Sequence, residues 1–134
     1  MTKQESYTAS QYADLVRPPP KMKYRNKPKV INGQRYDSIK ESVRHAELML
    51  MEKAGEIERL ERQVPFLLMP AQVRIDGKKE REVHYFADFV YYDNKLQRLV
   101  VEDVKSRATV TKDYVLKRKM MLMHHAISVM EVGV

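Results

Sequence analysis

The sequence predicts an α/β domain in which a mixed sheet carries a helix on each face. Three observations predict it. A well-capped helix comes first, aromatic and β-branched runs separated by turn dipeptides follow, and a second capped helix precedes one last β-branched run. Strands grouped between two helices in this way pack as helix layers against one sheet. The length of 134 residues agrees, being enough for one domain with one real core.

Each element has its own signal. Residues 1–29 read as an extended or disordered arm and residues 30–134 as the folded domain. Pro18, Pro19 and Pro20 donate no backbone hydrogen bonds and favour polyproline II. Residues 30–36 read as a short hairpin around Asn32-Gly33. Ser38 is an N-cap, with Glu41 three residues on as in a capping box. Ile39, Val43, Ala46, Leu50 and Ala54 recur at helical spacing and mark the apolar face of that helix. Gly55 ends it in the left-handed conformation.

From Ile57 to Ile75 the apolar runs are broken by Pro65 and Pro70, which predicts edge or bulged strands before a turn at Asp76-Gly77. Val83 to Tyr92 and Leu96 to Lys105 are the strongest strands, joined by a turn at Asp93-Asn94-Lys95. Thr111 or Thr109 caps a helix running to about His124, with Val115, Leu116, Met120 and Met123 as its apolar positions. Ile127 to Val132 is the last strand.

Charge and composition narrow the function. Lys and Arg number 25 against 18 Asp and Glu, a net +7 that favours an anionic partner, most simply nucleic acid. From Arg17 to Lys29 there are six cations and no acid. A second cluster holds Lys105, Arg107, Lys112, Lys117, Arg118 and Lys119, opposed only by Asp113. The absence of Cys excludes disulfides, Cys-ligated zinc and thiol catalysis. No apolar run is long enough to span a membrane and no apolar leader opens the chain, so the expected compartment is the cytoplasm, with no membrane partner. Gly-rich phosphate loops, nucleophile elbows and zinc fingers are missing, so no small-molecule cofactor is expected. His45, His84, His124 and His125 make no metal-ligand set and read as surface residues, with His84 on the Asp88 face of its strand. Met120, Met121 and Met123 read as core filling, and Glu102 as a charge at a strand margin.

The hairpin 83–105 carries the chemistry. Residues facing each other across an antiparallel pair have position numbers of constant sum, and any even-length loop makes that sum odd. Asp88 and Asp103 satisfy this, so both carboxylates fall on one face. A two-residue loop sets them diagonally and a four-residue loop directly opposite, in either case roughly 5 to 8 Å apart at Cβ. Lys105 shares the face of Asp103 because strand side chains alternate. Val100, Val101 and Val104 are apolar on both faces, which predicts a covered, central strand. Like charges there are costly unless something compensates, and Mg²⁺ does so directly, using one or two carboxylates, waters and phosphate oxygens.

Three segments together carry a resemblance: Tyr36-Asp37-Ser38-Ile39-Lys40-Glu41, then Ala87-Asp88-Phe89, then Val101-Glu102-Asp103-Val104-Lys105. The chain resembles the PD-(D/E)xK nuclease superfamily, and more narrowly a family of small phage-encoded proteins of this type. The narrower likeness adds Lys23–Lys27 (Lys-Tyr-Arg-Asn-Lys), the Gln63-Val64-Pro65-Phe66 strand and Thr111, Tyr114 and Lys117 on the second helix. It spans residues 23–133. Ala87 stands where the superfamily's name has Pro, and Pro65 comes one place later than in the pattern.

The resemblance implies a restriction-endonuclease-like αβββαβ core and a metal-dependent endodeoxyribonuclease. It implies Asp88 and Asp103 as ligands of Mg²⁺, with Mn²⁺ as substitute, and Glu41 as a ligand directly or through water. Lys105 would orient the attacking water or stabilise phosphate charge, and Gln63 would line the site. Lys23, Arg25, Lys27, Lys112, Lys117 and Lys119 would contact DNA. Phage Holliday-junction resolvases are the nearest functional analogues, which implies a branched DNA substrate and a homodimer, with the contact near 57–75. The rival readings are a non-catalytic nucleic-acid-binding or host-interaction protein on the same fold, and another nicking or repair nuclease of the superfamily.

Overall fold

The computed structural model describes residues 7–16, 29–31, 34–36 and 38–133. In chain order the elements are α1 (Ala9–Leu15), β1 (Lys29–Ile31), β2 (Gln34–Tyr36), α2 (Ile39–Lys53), β3 (Ile57–Met69), β4 (Gln72–Val73), β5 (Lys79–Glu80), β6 (Val83–Asp93), β7 (Arg98–Val104), a 3₁₀ turn (Arg107–Thr109), α3 (Lys112–His125) and β8 (Met130–Val132). Four strands form one mixed sheet in the order β3-β6-β7-β8. Its first two pairings are antiparallel and β7–β8 is parallel. The parallel pair needs a crossover, and α3 supplies it. The predicted α/β class is therefore what the chain adopts.

Two cores flank the sheet. On one face Leu48 of α2 packs with Ile57, Phe89, Tyr91 and Val100. On the other, Tyr114 and Met121 of α3 pack with Phe66, Tyr85, Val90, Val101 and Ile127 or their close neighbours. β7 lies between β6 and β8, so Val100 to Asp103 are all buried, as a central strand requires.

Local signals hold at both ends of α2. Ser38 Oγ accepts the Glu41 amide at 3.1 Å. Past its end, Gly55 takes φ +79°, with the Gly55 and Glu56 amides donating to Glu52 and Met51. That closure satisfies two of the last free carbonyls and favours a residue without a Cβ. Thr111 caps α3 by accepting the Tyr114 amide. β1 and β2 pair from Lys29↔Tyr36 to Ile31↔Gln34, and the turn itself, Asn32-Gly33, lies outside the described residues. The β4–β5 ribbon turns at Gly77 as expected.

Several expectations are corrected. Within the predicted arm, Ala9–Leu15 is a helix with a Thr8–Gln11 capping box, and Tyr12, Leu15 and Val16 pack on the α3-side core. Residues 17–28 lie outside the described residues. The region after Gly55 is one 13-residue edge strand, bulged between Glu58 and Glu61 and again between Leu67 and Met69, rather than several short runs. Pro65 is tolerated because β3 is at the sheet edge.

The helix faces also differ. α2 buries Glu41, His45 and Leu48, whereas Ile39, Val43 and Leu50 stay 59%, 53% and 69% exposed. Polar groups win the buried face because each finds a partner there: Arg44 meets Glu102, and His45 meets the Tyr36 hydroxyl at 2.6 Å. On α3, Tyr114 and Met121 take the core positions and Leu116 and Met123 are exposed, so Met123 is not core filling. His45 and His84 are buried, and His125 Nε2 bonds the Leu67 carbonyl, so only His124 is fully at the surface.

Candidate functional site

The site is built by a break in strand alternation. β6 and β7 pair from Phe89↔Glu102 to Asp93↔Arg98 around the loop 94–97, which is the four-residue loop. One step further along this register Asp88 stands directly across from Asp103. Yet Asp88 leaves the ladder, and its Oδ2 accepts the Val104 amide at 2.8 Å. The face changes at the same point. Tyr85, Ala87 and Val90 belong to the α3-side core, while Phe89 and Tyr91 belong to the α2-side core. Strict alternation would put Tyr85 and Phe89 on one face.

β3 breaks with it. Arg62 pairs with Phe89 and Val64 with Ala87, and between them Gln63 takes φ +49°. A left-handed non-glycine residue is strained by roughly 1–3 kcal/mol and persists only where its surroundings hold it. Here the side chain supplies the hold. Gln63 Nε2 donates to Asp88 Oδ1 and to Glu41 Oε1, both at 2.9 Å. Glu41 projects from the first turn of α2, buried, with Arg62 Nη2 3.5 Å from Oε1. Gln63 thus ties the helix carboxylate to the strand carboxylate.

Asp103 is buried. Its Oδ2 accepts from the Tyr85 hydroxyl at 2.7 Å, and Lys105 Nζ lies 3.5 Å from the same oxygen. Lys105 also sits 4.1 Å above the Tyr114 ring, a cation–π distance. Burial above all, with the Asp88 carboxyl beside it, pushes the Asp103 carboxyl up to about 8, against the lowering pull of Tyr85 and Lys105. Burial and Asp103 in turn push the Tyr85 hydroxyl up.

These groups line an open cleft of about 400 Å³. The structure brings Glu41, Gln63, Asp88, Asp103, Lys105 and Lys117 into it. Lys117 pairs with Asp113 at 3.5 Å. Lys112 and Lys119 are exposed on α3 and do not line the cleft; Lys23, Arg25 and Lys27 lie outside the described residues. Glu102 is not at a strand margin: it is fully buried on the opposite face, bonded by Arg44 and the Tyr91 hydroxyl. His84, buried near Glu82, does not reach the cleft. The residue that sequence reasoning missed is Tyr85. By alternation it points away from Asp88, and nothing in the residue pattern marks the slip that turns it toward Asp103.

The donor set can be tested against a metal. Among the described residues no three His, Asp or Glu side chains converge as a complete ligand group. An ion caged wholly by protein therefore does not fit. Mg²⁺, which takes one or two carboxylates and fills the rest of its shell with water and phosphate oxygens, does fit.

A family model described as a protein of unknown function, DUF1064, matches residues 21–131. The chain belongs to this family. The DUF1064 match takes in all of α2, the four-stranded sheet up to β8 and every cleft residue named above. No curated protein and no solved structure matches the chain. No helix among the described residues of this DUF1064 protein is long and apolar enough to cross a membrane.

Proposed function

We propose that the cleft makes this protein a Mg²⁺-dependent DNA endonuclease of the PD-(D/E)xK type. The observation that carries the reading is the buried Asp103 set against Asp88, with Lys105 beside it, at the floor of an open cleft. Glu102, one residue away, is held by two short bonds from Arg44, whereas Asp103 meets a second carboxylate and a lysine no nearer than 3.5 Å.

In this reading Asp88 and Asp103 hold Mg²⁺, with Mn²⁺ as substitute, and Glu41 bears on the site through Gln63. Mg²⁺ there supplies a water of lowered pKa and screens the scissile phosphate. Lys105 stabilises charge on the phosphate or orients the attacking water, and it is placed for that by the Tyr114 ring. Lys117, at the cleft wall, contacts a neighbouring phosphate. Lys112 and Lys119 extend the cationic surface along α3, and Lys23, Arg25 and Lys27, outside the described residues, would add contacts to phosphates. Preference for branched DNA, and action as a homodimer, rest on the resemblance.

The test is cleavage of a labelled four-way junction beside linear duplex and single strands of the same sequence, with Mg²⁺, with EDTA, and with Asp103→Asn. Metal-dependent cutting of the junction is expected, and the variant should lose more than the ~10–100-fold typical of groups that only orient a ligand. Equal cutting of all three substrates would keep the nuclease and remove the branch preference. Binding without cutting in Mg²⁺ and Mn²⁺ would overturn the reading in favour of a non-catalytic binding protein.

A further inference from the structure

We infer that Tyr85 is a positioning residue for the metal-binding carboxylates, an inference that rests on the reading of the cleft given above. Its hydroxyl holds one oxygen of Asp103, as Val104 and Gln63 hold Asp88, so that the pair is oriented before a cation arrives. Four contacts make the case. Tyr85 donates to Asp103 Oδ2 at 2.7 Å, and Lys105 approaches that same oxygen. The Val104 amide holds Asp88 Oδ2 and Gln63 holds Asp88 Oδ1. Each carboxyl is thus fixed about its terminal torsion by a donor that is itself buried or part of the backbone.

Tyr85 is suited to the task. It is 3% exposed, and its ring is wedged in the α3-side core beside Tyr114, with centroids 6.4 Å apart. The alternation slip at Asp88 puts it on the face of Asp103, where its hydroxyl reaches that carboxyl. Tyr85 and Lys105 both approach Oδ2, so Oδ1 is the oxygen assigned to a cation shared with the neighbouring Asp88 carboxyl. Groups that orient a metal ligand in this way typically govern affinity or activity by 10–100-fold.

The test is Mn²⁺ binding to the DNA-free protein, measured calorimetrically at fixed pH for the wild type, Tyr85→Phe and Tyr91→Phe. Tyr85→Phe keeps the ring and removes only the hydroxyl. Tyr91→Phe removes a comparably buried hydroxyl that serves Glu102 on the other face, and so controls for a general loss of stability. We expect Tyr85→Phe to weaken Mn²⁺ by ~10-fold or more and to lower kcat for DNA cleavage while KM for DNA stays put. Tyr91→Phe should lower the melting temperature and leave Mn²⁺ affinity unchanged.

Unchanged Mn²⁺ affinity in Tyr85→Phe, in a protein that cuts DNA, would overturn the inference and leave the nuclease standing. Weakened Mn²⁺ binding in a protein that cuts no DNA would support the inference and overturn the nuclease. Equal weakening in both variants would mean that packing alone is responsible, and would overturn it.

Discussion

Glu102 and Asp103 are neighbours on β7, both buried, both carboxylates, and the protein treats them in opposite ways. Glu102 faces α2, and Arg44 reaches it through two nitrogens at 2.8 and 2.7 Å, with the Tyr91 hydroxyl on the same group. Asp103 faces α3 and meets a second carboxylate, a hydroxyl, and a lysine at 3.5 Å. The two environments leave opposite marks. Arg44 is pushed further up by its bond to Glu102, whereas Asp103 is pushed up by burial and by Asp88. Burial of a charge is neutral evidence about function. Burial beside a like charge is informative, because stability alone does not favour it.

The comparison predicts unequal consequences for the two sites. Arg44→Ala should be the most damaging change for stability. It leaves Glu102, fully buried, without its counter-charge, which typically costs about 3–5 kcal/mol. Such a loss is a large fraction of the roughly 5–15 kcal/mol that holds a domain together. Urea unfolding checks it. The double change Arg44→Met with Glu102→Met should recover most of the loss, since an apolar pair needs no desolvation. If the double variant is as unstable as the single, the pair does more than neutralise itself, and the comparison fails.

Asp103→Asn should move stability by less and in the other direction. Unfolded, Asp103 is ionised at neutral pH. Folded, it is held up to about 8 and binds a proton, which costs stability. An amide at that place can still accept from Tyr85 and can donate to Asp88. The variant should unfold no more easily than wild type, and a gain of about 1 kcal/mol is expected because the amide makes these hydrogen bonds without having to take up a proton. A variant that destabilises the fold while abolishing cleavage would place Asp103 with Glu102, among the structural charges.

Much of this site could be read before any coordinates. Parity alone put Asp88 and Asp103 on one face, because a register follows from loop length and loop length is local. Ser38, Gly55 and Thr111 marked helix ends for the same reason: caps are decided by a few neighbouring residues. What could not be read depends on partners distant in sequence. The buried face of α2 is polar because Glu102 and Tyr36 wait for Arg44 and His45, and apolar periodicity pointed at Ile39, Val43 and Leu50 instead. The slip at Gln63 and Asp88 is set by bonds among β3, β6 and α2, so Tyr85 gave no sign of its reach. α1 has a capping box in its sequence, yet only contact with Phe66 and its neighbours shows that this segment belongs to the core.

The α2 side makes one further, smaller prediction. His45 bonds Tyr36 and stacks on Phe89, with centroids 5.6 Å apart. Burial above all, and then Arg62, hold its pKa below the ordinary 6.5, with Glu52 pulling weakly the other way. The unfolded ring therefore takes a proton first as pH falls. The stability linked to His45 is fully present above about 6.5 and declines below it, toward the depressed folded value. Asp103 acts in the opposite sense over the same range, gaining stability as pH falls from about 8. Total stability hides both, but a difference does not. His45→Phe keeps the stack and removes the titration, at a constant cost of about 1 kcal/mol for the lost hydrogen bond between His45 and Tyr36. Between pH 7.5 and 5.5 wild type should lose ground to this variant in urea unfolding. Parallel profiles would mean that His45 titrates alike in both states, and that the α2 face is wetter than its packing implies.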